Sequence, residues 1–498
     1  MLSRRAFLGA AIGGAALVAG CDASRVASHS RRTGPRVIAP DGRIVAAREA
    51  ARTRPGARVV AKELRAAPVQ VDLGGTVVDT WAYNGTVPGP LVRATIGDIL
   101  AVNLTNDLPE HTTIHWHGLS LRNDMDGVHG ITQPPIHPGE RFEYRFAFDA
   151  PGTYWYHSHM GTQLDRGLYA PIIVDDPADP GDYDAEHVLV LDDWVDGMGT
   201  TPDRIEHLLH CDPTCASSPF IGRFRSDALG GDAGLIAYPA HLINGRMTTD
   251  RSTLSAPPGG RVRLRIINAG AETAYRVAVG GHRMTVTHSD GYRVDPVETG
   301  ALLIGMGERY DVEFTARSGA WPVVALAEGK DTVAAAVLRT TDTDGQTSMS
   351  PPPETRPAEL DGALLADDHL RAHESVRLPF TKPNRAFDIS LTGRDSSYHW
   401  GINGDPYPRN GALNVRAGDR ARITVRNTTK HWHPVHLHGH TFRVGPDADG
   451  PRKDTVIVRP GETKLLDVVC NNPGQWMLHC HNGYHFDAGM AIAFQYLA

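Results

Sequence analysis

The feature that most constrains this chain is one interval that occurs three times. Each occurrence begins at a glycine, continues through a short run of alternating apolar residues and ends at an asparagine nine positions later. Repetition at this scale indicates repeated structural units. Because the segments between Gly, Pro and Asp turns show no sustained helical period, each unit is predicted to be an all-β sandwich or barrel. The three intervals are Gly97 to Asn106, Gly259 to Asn268 and Gly418 to Asn427.

Four His-x-His pairs follow these intervals in matching register. On a strand, residues i and i+2 point to the same face, so each pair presents two neighbouring imidazoles. One pair arises easily by chance among 25 histidines, but four pairs in two repeated registers indicate metal ligands. The middle unit has Val277, Val279, Val324 and Leu326 at the equivalent positions, so it is predicted to bind no metal. The pairs are His115 and His117, His157 and His159, His436 and His438, and His479 and His481.

A chain of 498 residues has room for three such units. The repeats predict domains at about 60–180, 185–342 and 370–498, the second without metal ligands. The Ser/Thr/Pro-rich run that begins near residue 340 predicts a linker, at residues 343–369, before the third domain.

Cys480 identifies the metal, because imidazole alone suits several. It stands between His479 and His481 and points to the opposite strand face. His485 and Met490 follow at plus five and plus ten, and His433 precedes the third pair. Two imidazoles, a thiolate and a weak thioether are the ligands of a blue-copper electron-transfer centre. The first domain has none of these ligands, since its equivalent positions hold Thr112, Ser158, Gln163 and Leu168.

Over residues 60–498 the chain resembles the three-domain multicopper oxidases of the laccase and cuprous-oxidase family. The resemblance implies three cupredoxin-like Greek-key β-barrel or sandwich domains. It also implies four coppers per chain: one type 1, one type 2 and two type 3. The implied ligands are His433, Cys480, His485 and Met490 for type 1, His115 and His436 for type 2, and His117, His157, His159, His438, His479 and His481 for type 3.

The same resemblance implies the reaction. One-electron oxidation of a donor near His485 is coupled to four-electron reduction of O2 to water, with electrons passing from Cys480 to its two histidine neighbours. Asp126 matches the family's acid near the oxygen site and is expected to donate protons or position water. Its alternative role is that of a turn-forming residue before Gly127. Some bacterial relatives carry a carboxylate where this chain has Phe486, and Asp487 is expected to face elsewhere.

The substrate is less well determined by the sequence. Ten methionines are scattered without a methionine-rich tract, which favours phenols, aminophenols or aromatic amines over Cu(I) as the donor. A methionine axial ligand also favours easily oxidised donors. A cuprous oxidase in copper tolerance is the alternative. A copper nitrite reductase, a copper-storage or electron-carrier protein and a copper-free cupredoxin scaffold each fit the ligand set less well.

Other partners are restricted by charge. The net charge of −7, without a long basic run, predicts no nucleic-acid partner. A monomer is expected.

The N-terminus predicts export. Arg4 and Arg5 precede an apolar stretch too short to span a membrane, which resembles a Tat signal. The residues before Cys21 resemble a lipoprotein cleavage box, so residues 1–21 are expected to be a signal and Cys21 a lipid anchor, the only membrane contact. A plain cleaved signal is the alternative. Residues 22–60 are expected to be a flexible tether, and the protein to be at the cell surface or in the periplasm.

The remaining cysteines each have their own interpretation. Cys211 and Cys215 are expected to form a local disulfide or to lie free in a loop, with a second metal site as an alternative. Cys470 is expected to be a small buried hydrophobic residue.

Overall fold

A computed structural model describes residues 36–179, 181–211, 218–340, 350–352, 355–379 and 381–498. The predicted signal, the proposed anchor Cys21 and Cys215 lie outside these residues. Cys211 is disulfide-bonded, and Cys470 and Cys480 are buried free thiols. None of the described helices has the length and apolar character needed to cross a membrane.

The first domain consists of two four-stranded sheets around an apolar core, and a short helix precedes it. In β4 the buried residues alternate with less buried ones, as the period-2 pattern predicts. The elements are α1 (Arg43–Arg52), β1 (Val59–Asp72), β2 (Val77–Tyr83), β3 (Val92–Thr95), β4 (Ile99–Asn106), β5 (Ile114–His117), β6 (Arg141–Ala147), β7 (Gly152–Ser158) and β8 (Tyr169–Asp175), with 3-10 helices at Asn123–Met125 and Gly161–Asp165.

The second domain has two six-stranded sheets, together with a helix and a two-stranded hairpin inserted after its first strand. Its elements are β9 (Ala185–Trp194), α2 (Pro202–Leu209), β10 (Arg225–Ser226), β11 (Gly231–Asp232), β12 (Ala240–Ile243), β13 (Thr253–Ala256), β14 (Arg261–Asn268), β15 (Tyr275–Val279), β16 (Met284–Ser289), β17 (Tyr292–Thr299), β18 (Ala301–Ile304), β19 (Arg309–Thr315), β20 (Ala320–Ala327), β21 (Thr332–Thr340) and β22 (Leu364–Leu365), with 3-10 helices at Thr248–Asp250, Ala358–Asp361, Asp367–His369 and Glu374–Val376.

The third domain has one six-stranded and one five-stranded sheet. Helix α2 of the second domain packs against its core through Ile205, Leu208 and Leu209. The elements are β23 (Arg385–Arg394), β24 (His399–Ile402), β25 (Ala412–Val415), β26 (Arg420–Asn427), β27 (His433–Leu437), β28 (Phe442–Val444), β29 (Arg452–Lys453), β30 (Thr455–Val458), β31 (Thr463–Val469), β32 (Gln475–Cys480), α3 (Gly483–Asp487) and β33 (Ala491–Tyr496), with a 3-10 helix at Asp395–Ser397.

The repeated interval has the same structural role in all three domains. Gly97, Gly259 and Gly418 each adopt a positive φ at a turn before β4, β14 or β26. The asparagine that ends each of these strands is buried, and its side-chain amide donates to two backbone carbonyls. The acceptors are Glu110 and Ile136 for Asn106, Thr273 and Ile304 for Asn268, and His431 and Val458 for Asn427.

The structure corrects the expected tether for residues 36–60. Residues 43–52 form α1, and Val45 and Ile38 pack into the third domain's core. The amide of Ile38 donates to Tyr496 O at 2.8 Å, and Glu49 accepts from Ala147 N at 2.7 Å. The Arg- and Ala-rich composition suggested flexibility, but a few apolar anchors and these bonds fix the segment.

The predicted linker is also partly structured. Leu364 and Leu365 form β22, which pairs with β18 and extends a sheet of the second domain. Further on, Asp295 N donates to Arg371 O at 2.9 Å. The first strand of the third domain begins at Arg385, and residues 371–384 bond to both the second and the third domain.

We expect Asn268→Ala to lower the free energy of unfolding by about 3 kcal/mol, because it leaves two buried carbonyls unpaired. Urea unfolding of the copper-free protein measures this, with the exposed Asn414→Ala as the control. Equal midpoints for the two variants would contradict a structural role for the buried asparagines.

Candidate metal centres

Neighbouring strands bring the histidine pairs of each domain together. In the first domain, β5 pairs with β7 so that His115 lies opposite His157. In the third domain, β27 pairs with β32 so that His436 lies opposite His479. The other member of each pair lies two residues further along the chain. All eight side chains are buried, and their rings meet between the first and third domains.

The eight histidines form two groups of three and one pair. Within each group one nitrogen from every ring lies within 4.8 Å of the others, and every group contains residues of both domains. This division is the one that the resemblance implies for two type 3 coppers and one type 2 copper. The groups of three are His117, His157 and His481, and His159, His438 and His479; the pair is His115 and His436, which lies beside His117.

Hydrogen bonds to the outer nitrogens orient these rings. In four of them Nδ1–H donates to a backbone carbonyl, which fixes the neutral tautomer with its lone pair on Nε2. The bonds are His115 to Asp126 at 2.9 Å, His157 to Ser158 at 2.8 Å, His436 to Asp454 at 2.9 Å and His479 to Cys480 at 2.8 Å.

The inner nitrogens fit copper, since most have no hydrogen-bond partner in the described part of the chain. His438 Nε2 and His479 Nε2 face each other at 3.0 Å, and neither can donate because each Nδ1–H is already used outward. A buried polar atom without a partner costs about 1–3 kcal/mol, and a bound cation removes that cost. The unpartnered atoms are Nε2 of His115, His157, His159 and His436, Nδ1 of His117 and both ring nitrogens of His481.

Burial also affects the protonation of the six histidines in the two groups of three. It lowers each pKa well below the usual 6.5, and the neighbouring histidines add to the effect. The neutral imidazole is the form that binds a metal.

The type 1 residues lie together on the other side of Cys480. Its Sγ is 3.4 Å from His433 Nδ1 and 3.8 Å from His485 Nδ1, and the two nitrogens are 3.2 Å apart. Met490 is buried beside them, since its carbonyl accepts from Cys480 N and its amide donates to His485 O. Trp400 covers His485 with ring centroids 4.0 Å apart.

Burial raises the pKa of the Cys480 thiol, so its ionisation is unfavourable without a nearby cation. A bound copper cation reverses this preference and stabilises the thiolate. Imidazole, thiolate and thioether together suit copper better than zinc, which needs no methionine.

The equivalent place in the first domain is filled by a hydrogen-bonded triad. Thr112 Oγ1 lies 3.2 Å from Ser158 Oγ and donates to Gln163 Oε1 at 2.8 Å. Ser158 also donates to Gln163, at 2.7 Å, and Leu168 is buried nearby. These groups satisfy one another and offer no thiolate or imidazole, so this position provides no second type 1 site.

Asp126 is buried at the edge of the histidine cluster. Its Oδ2 accepts from His438 Nδ1–H at 2.9 Å, while Oδ1 has no hydrogen-bond partner among the described residues. It also begins a tight turn, since Gly127 has φ +83° and a Cβ there would lie 1.9 Å from Ile114 O. Asp126 therefore forms the expected turn and also contacts one of the candidate ligands, His438.

Sequence reasoning missed Asp454 and Arg309. Asp454 Oδ1 lies 3.2 Å from His117 Nε2 and 3.4 Å from His436 Nδ1. Arg309 of the second domain donates to both carboxylate oxygens at 2.7 Å. Burial alone would raise the pKa of Asp454, but Arg309 and His436 hold it below its usual value. No local motif marks this contact, which joins residues 145 positions apart.

The two residues after His485 have different surroundings. Phe486 packs on His159 and His479, with centroids 4.7 and 4.8 Å away. Asp487 is exposed to solvent and forms a hydrogen bond with Glu206 of α2. Burial and this carboxyl neighbour raise the pKa of Glu206 to about 7.

Three segments of the chain match multicopper oxidase models, at residues 66–179, 225–343 and 380–497. The multicopper oxidase MmcO of Mycobacterium tuberculosis is 45% identical, over 99% of this chain and 97% of that protein. A copper resistance protein A homolog of Pseudomonas syringae pv. tomato is 28% identical, over 86% of this chain and 91% of that protein. The laccase of Botrytis aclada is 26% identical and superimposes with a TM-score of 0.71 over 88% of each chain. The chain therefore belongs to the multicopper oxidase family. It is an oxidoreductase that uses O2 and has three cupredoxin-like domains and four coppers.

Proposed function

We propose that this oxidase takes its electrons from phenols and related small aromatic donors. When bound, copper supplies one-electron oxidation at the type 1 residues and four-electron reduction of O2 to water at the histidine cluster. The observation that carries the proposal is the groove beside the type 1 residues.

The groove has a volume of about 860 Å³ and lies between the end of α2 and two loops of the third domain. Thr429 lines it and accepts a hydrogen bond from His433 Nε2–H at 2.8 Å. A donor in the groove is therefore separated from a type 1 ligand by one side chain.

The wall of the groove suits an aromatic ring. Leu208, Leu209, Ile221 and Leu235 contribute apolar surface. Of the described residues that line it, none is a methionine, although thioethers are the ligands that Cu(I) prefers. This composition favours an organic donor over a cuprous ion.

The rim of the groove is positively charged. Arg223, Arg394 and Lys430 are exposed there. Burial opposes a charge on His431, but Asp232 and Asp395 outweigh it and raise the pKa of His431 to about 9. Asp395 is the one acidic side chain among the described lining residues. We therefore expect neutral or anionic phenols to bind better than cationic amines.

The chain itself connects the two copper sites. Cys480 is bonded through the backbone to His479 and His481, which belong to different groups of three. The path from the sulfur to either imidazole is covalent and buried throughout. An electron donated beside His485 needs no mobile carrier to reach the histidine cluster.

Protons reach the cluster most directly through Asp126. Its Oδ2 is fixed by His438, so the unpartnered Oδ1 is the atom free to hold or release a proton. Phe486 packs on His159 and His479, so this position offers the cluster no carboxylate. Asp126 therefore stands in for the carboxylate that some relatives carry at the position of Phe486.

A cuprous oxidase is the second candidate, favoured by the similarity to the copper resistance protein A homolog. The same groove would then serve a cuprous ion instead of an aromatic ring. Measuring kcat/KM for Cu(I) and for a phenol with one enzyme preparation separates the two. A much larger kcat/KM for Cu(I) would contradict the proposal that phenols are the electron donors.

Reversing two charges on the rim should change substrate preference. For Arg223→Glu with Lys430→Glu, we expect KM for a carboxylate-bearing phenol to rise about tenfold, the equivalent of 1.4 kcal/mol. KM for a cationic aromatic amine should fall, and kcat should stay within about twofold, because the reacting residues are untouched.

Steady-state kinetics on both substrates measures this effect. The control variant reverses the charges of Lys382 and Arg145, two exposed cationic residues that do not line the groove. If both double variants changed KM equally, the groove would not be the donor site.

For Asp126→Asn we expect reoxidation of the reduced enzyme by O2 to slow about 100-fold, because the amide cannot release a proton. Reduction of the blue centre by a phenol should keep its rate. Stopped-flow absorbance resolves the two half-reactions, and metal analysis checks that four coppers remain. Asp124→Asn, in the same turn, is the control, and a loss of copper in Asp126→Asn would indicate a structural role instead.

We also propose that the protein is exported by its twin-arginine signal and anchored through Cys21. The support is the sequence of residues 1–21. Mass spectrometry of the mature N-terminus should find a lipidated Cys21, whereas an unmodified terminus would indicate a plain cleaved signal.

A further inference from the structure

Arg309 of the second domain reaches a carboxylate beside the histidine cluster. It begins β19, and its side chain is fully buried. Its guanidinium donates a hydrogen bond of 2.7 Å to each carboxylate oxygen of Asp454 in the third domain. Other N–H groups of the same side chain donate to the backbone carbonyls of Thr153 and Gly307, each at 3.1 Å. The guanidinium is therefore fixed by residues of all three domains.

The carboxylate of Asp454 in turn faces two candidate copper ligands. Its Oδ1 lies 3.2 Å from His117 Nε2 and 3.4 Å from His436 Nδ1. The hydroxyl of Thr455 lies close to the same two nitrogens, at 3.2 and 3.1 Å. Because this hydroxyl donates to Asp454 Oδ1 at 2.9 Å, its oxygen is left to accept from an imidazole N–H.

These contacts give His117 the opposite tautomer from its neighbours. A carboxylate and the oxygen of Thr455 can only accept from His117 Nε2, so the proton of the neutral ring is on Nε2. Its Nδ1 then has the lone pair, and this atom has no hydrogen-bond partner among the described residues. In four other histidines of the cluster, a backbone carbonyl holds the proton on Nδ1 instead.

A carboxylate in this position needs a cation beside it. Asp454 is fully buried, and a buried charge without a partner is strongly unfavourable. The neighbouring Lys453 does not supply the cation, because its ammonium is paired with Asp290 at 3.2 Å and with Glu308 at 3.0 Å. Arg309 is therefore the partner that stabilises the carboxylate.

Arg309 also holds the turn that packs on the imidazole rings. Gly307 has φ +84°, and a Cβ there would lie 2.9 Å from His117 Cε1 and 3.1 Å from His481 Cδ2. The amide of Gly307 donates to Asn268 O at 2.9 Å, and its carbonyl accepts from Arg309. The turn, the guanidinium and the carboxylate therefore form one connected support for His117.

We propose that Arg309 is a positioning residue for the histidine cluster and that it acts through Asp454. By holding the carboxylate beside His117, it keeps the ring proton on Nε2 and leaves the lone pair of Nδ1 for copper. Within the described residues, none of its own hydrogen bonds goes to a candidate copper ligand. The second domain, which has valine and leucine at its histidine positions, thereby takes part in copper binding.

The tautomer of His117 in the copper-free, full-length protein tests the proposal. With isotope-labelled ring nitrogens, NMR distinguishes a proton on Nε2 from one on Nδ1, and a His117→Gln variant assigns the signals. We expect the Nε2–H form in the wild type and a mixture of both forms in Arg309→Met, because Asp454 is then no longer held. Arg309→Met combined with Asp454→Leu should give the same mixture. This double variant leaves no buried charge unpaired, so it keeps the test valid if the single variant does not fold.

Copper binding gives a second readout. In both variants we expect the affinity of the cluster for copper to fall at least about tenfold, as is usual when an outer partner of a ligand histidine is lost. Dialysis against a chelator, followed by copper analysis and electron paramagnetic resonance of the type 2 signal, measures this loss. The blue absorbance should be unchanged, since neither Arg309 nor Asp454 has a hydrogen bond to a type 1 ligand among the described residues.

Arg263→Met is the matched control. Arg263 is a buried arginine of the neighbouring strand β14, and it pairs with Asp311 at 2.6 Å. In the described part of the chain, neither residue of this pair bonds to a candidate copper ligand. The control should therefore keep the Nε2–H form of His117 and the cluster copper. Equal losses in Arg263→Met and Arg309→Met, an unchanged tautomer in the double variant, or a wild type with His117 protonated on Nδ1 would overturn the proposal.

Discussion

The structure depends on holding eight neutral imidazoles in a buried seam between two domains. A buried imidazole without partners is unfavourable, and here eight meet with most of their inner nitrogens unpaired. The carbonyls of Asp126, Ser158, Asp454 and Cys480 make this arrangement possible, because each fixes one ring with its lone pair inward. Strand pairing supplies the positions, and the outer hydrogen bonds supply the orientation.

The second domain has lost its ligands but contributes to the same seam. Arg309 reaches from β19 to Asp454 and also donates to the carbonyls of Gly307 and Thr153. Gly307 itself lies against His117 and His481, where a Cβ would come within 2.9 and 3.1 Å of the rings. Removing one partner of such a buried ion pair typically costs about 3–5 kcal/mol, since the other charge is left unpaired. The second domain thus fixes the carboxylate that lies beside His117 and His436.

Repetition made the strand pairs and the candidate ligands predictable. The intervals that align His115 with His436 also align the strands that carry them, because the spacing is set by backbone geometry within one domain. Arg309 and Val45 were not predictable in the same way. Each acts through contacts between segments far apart in sequence, and each alone looks like an ordinary charged or apolar residue. Residues 36–52 show this most clearly, since composition indicated a tether and the buried side chains of Ile38 and Val45 made the segment part of the fold.

The first and third domains differ in whether the pocket beside their histidine pairs needs a metal ion. Both place a residue between two ligand histidines, Ser158 in one and Cys480 in the other. Ser158 is satisfied by hydrogen bonds to Thr112 and Gln163, so its pocket is complete without a metal. Cys480 faces two imidazole nitrogens that it cannot satisfy as a neutral thiol, and burial opposes its ionisation. The pocket of the third domain therefore needs a cation, and helix α2 lines the groove in which we propose that the donor binds.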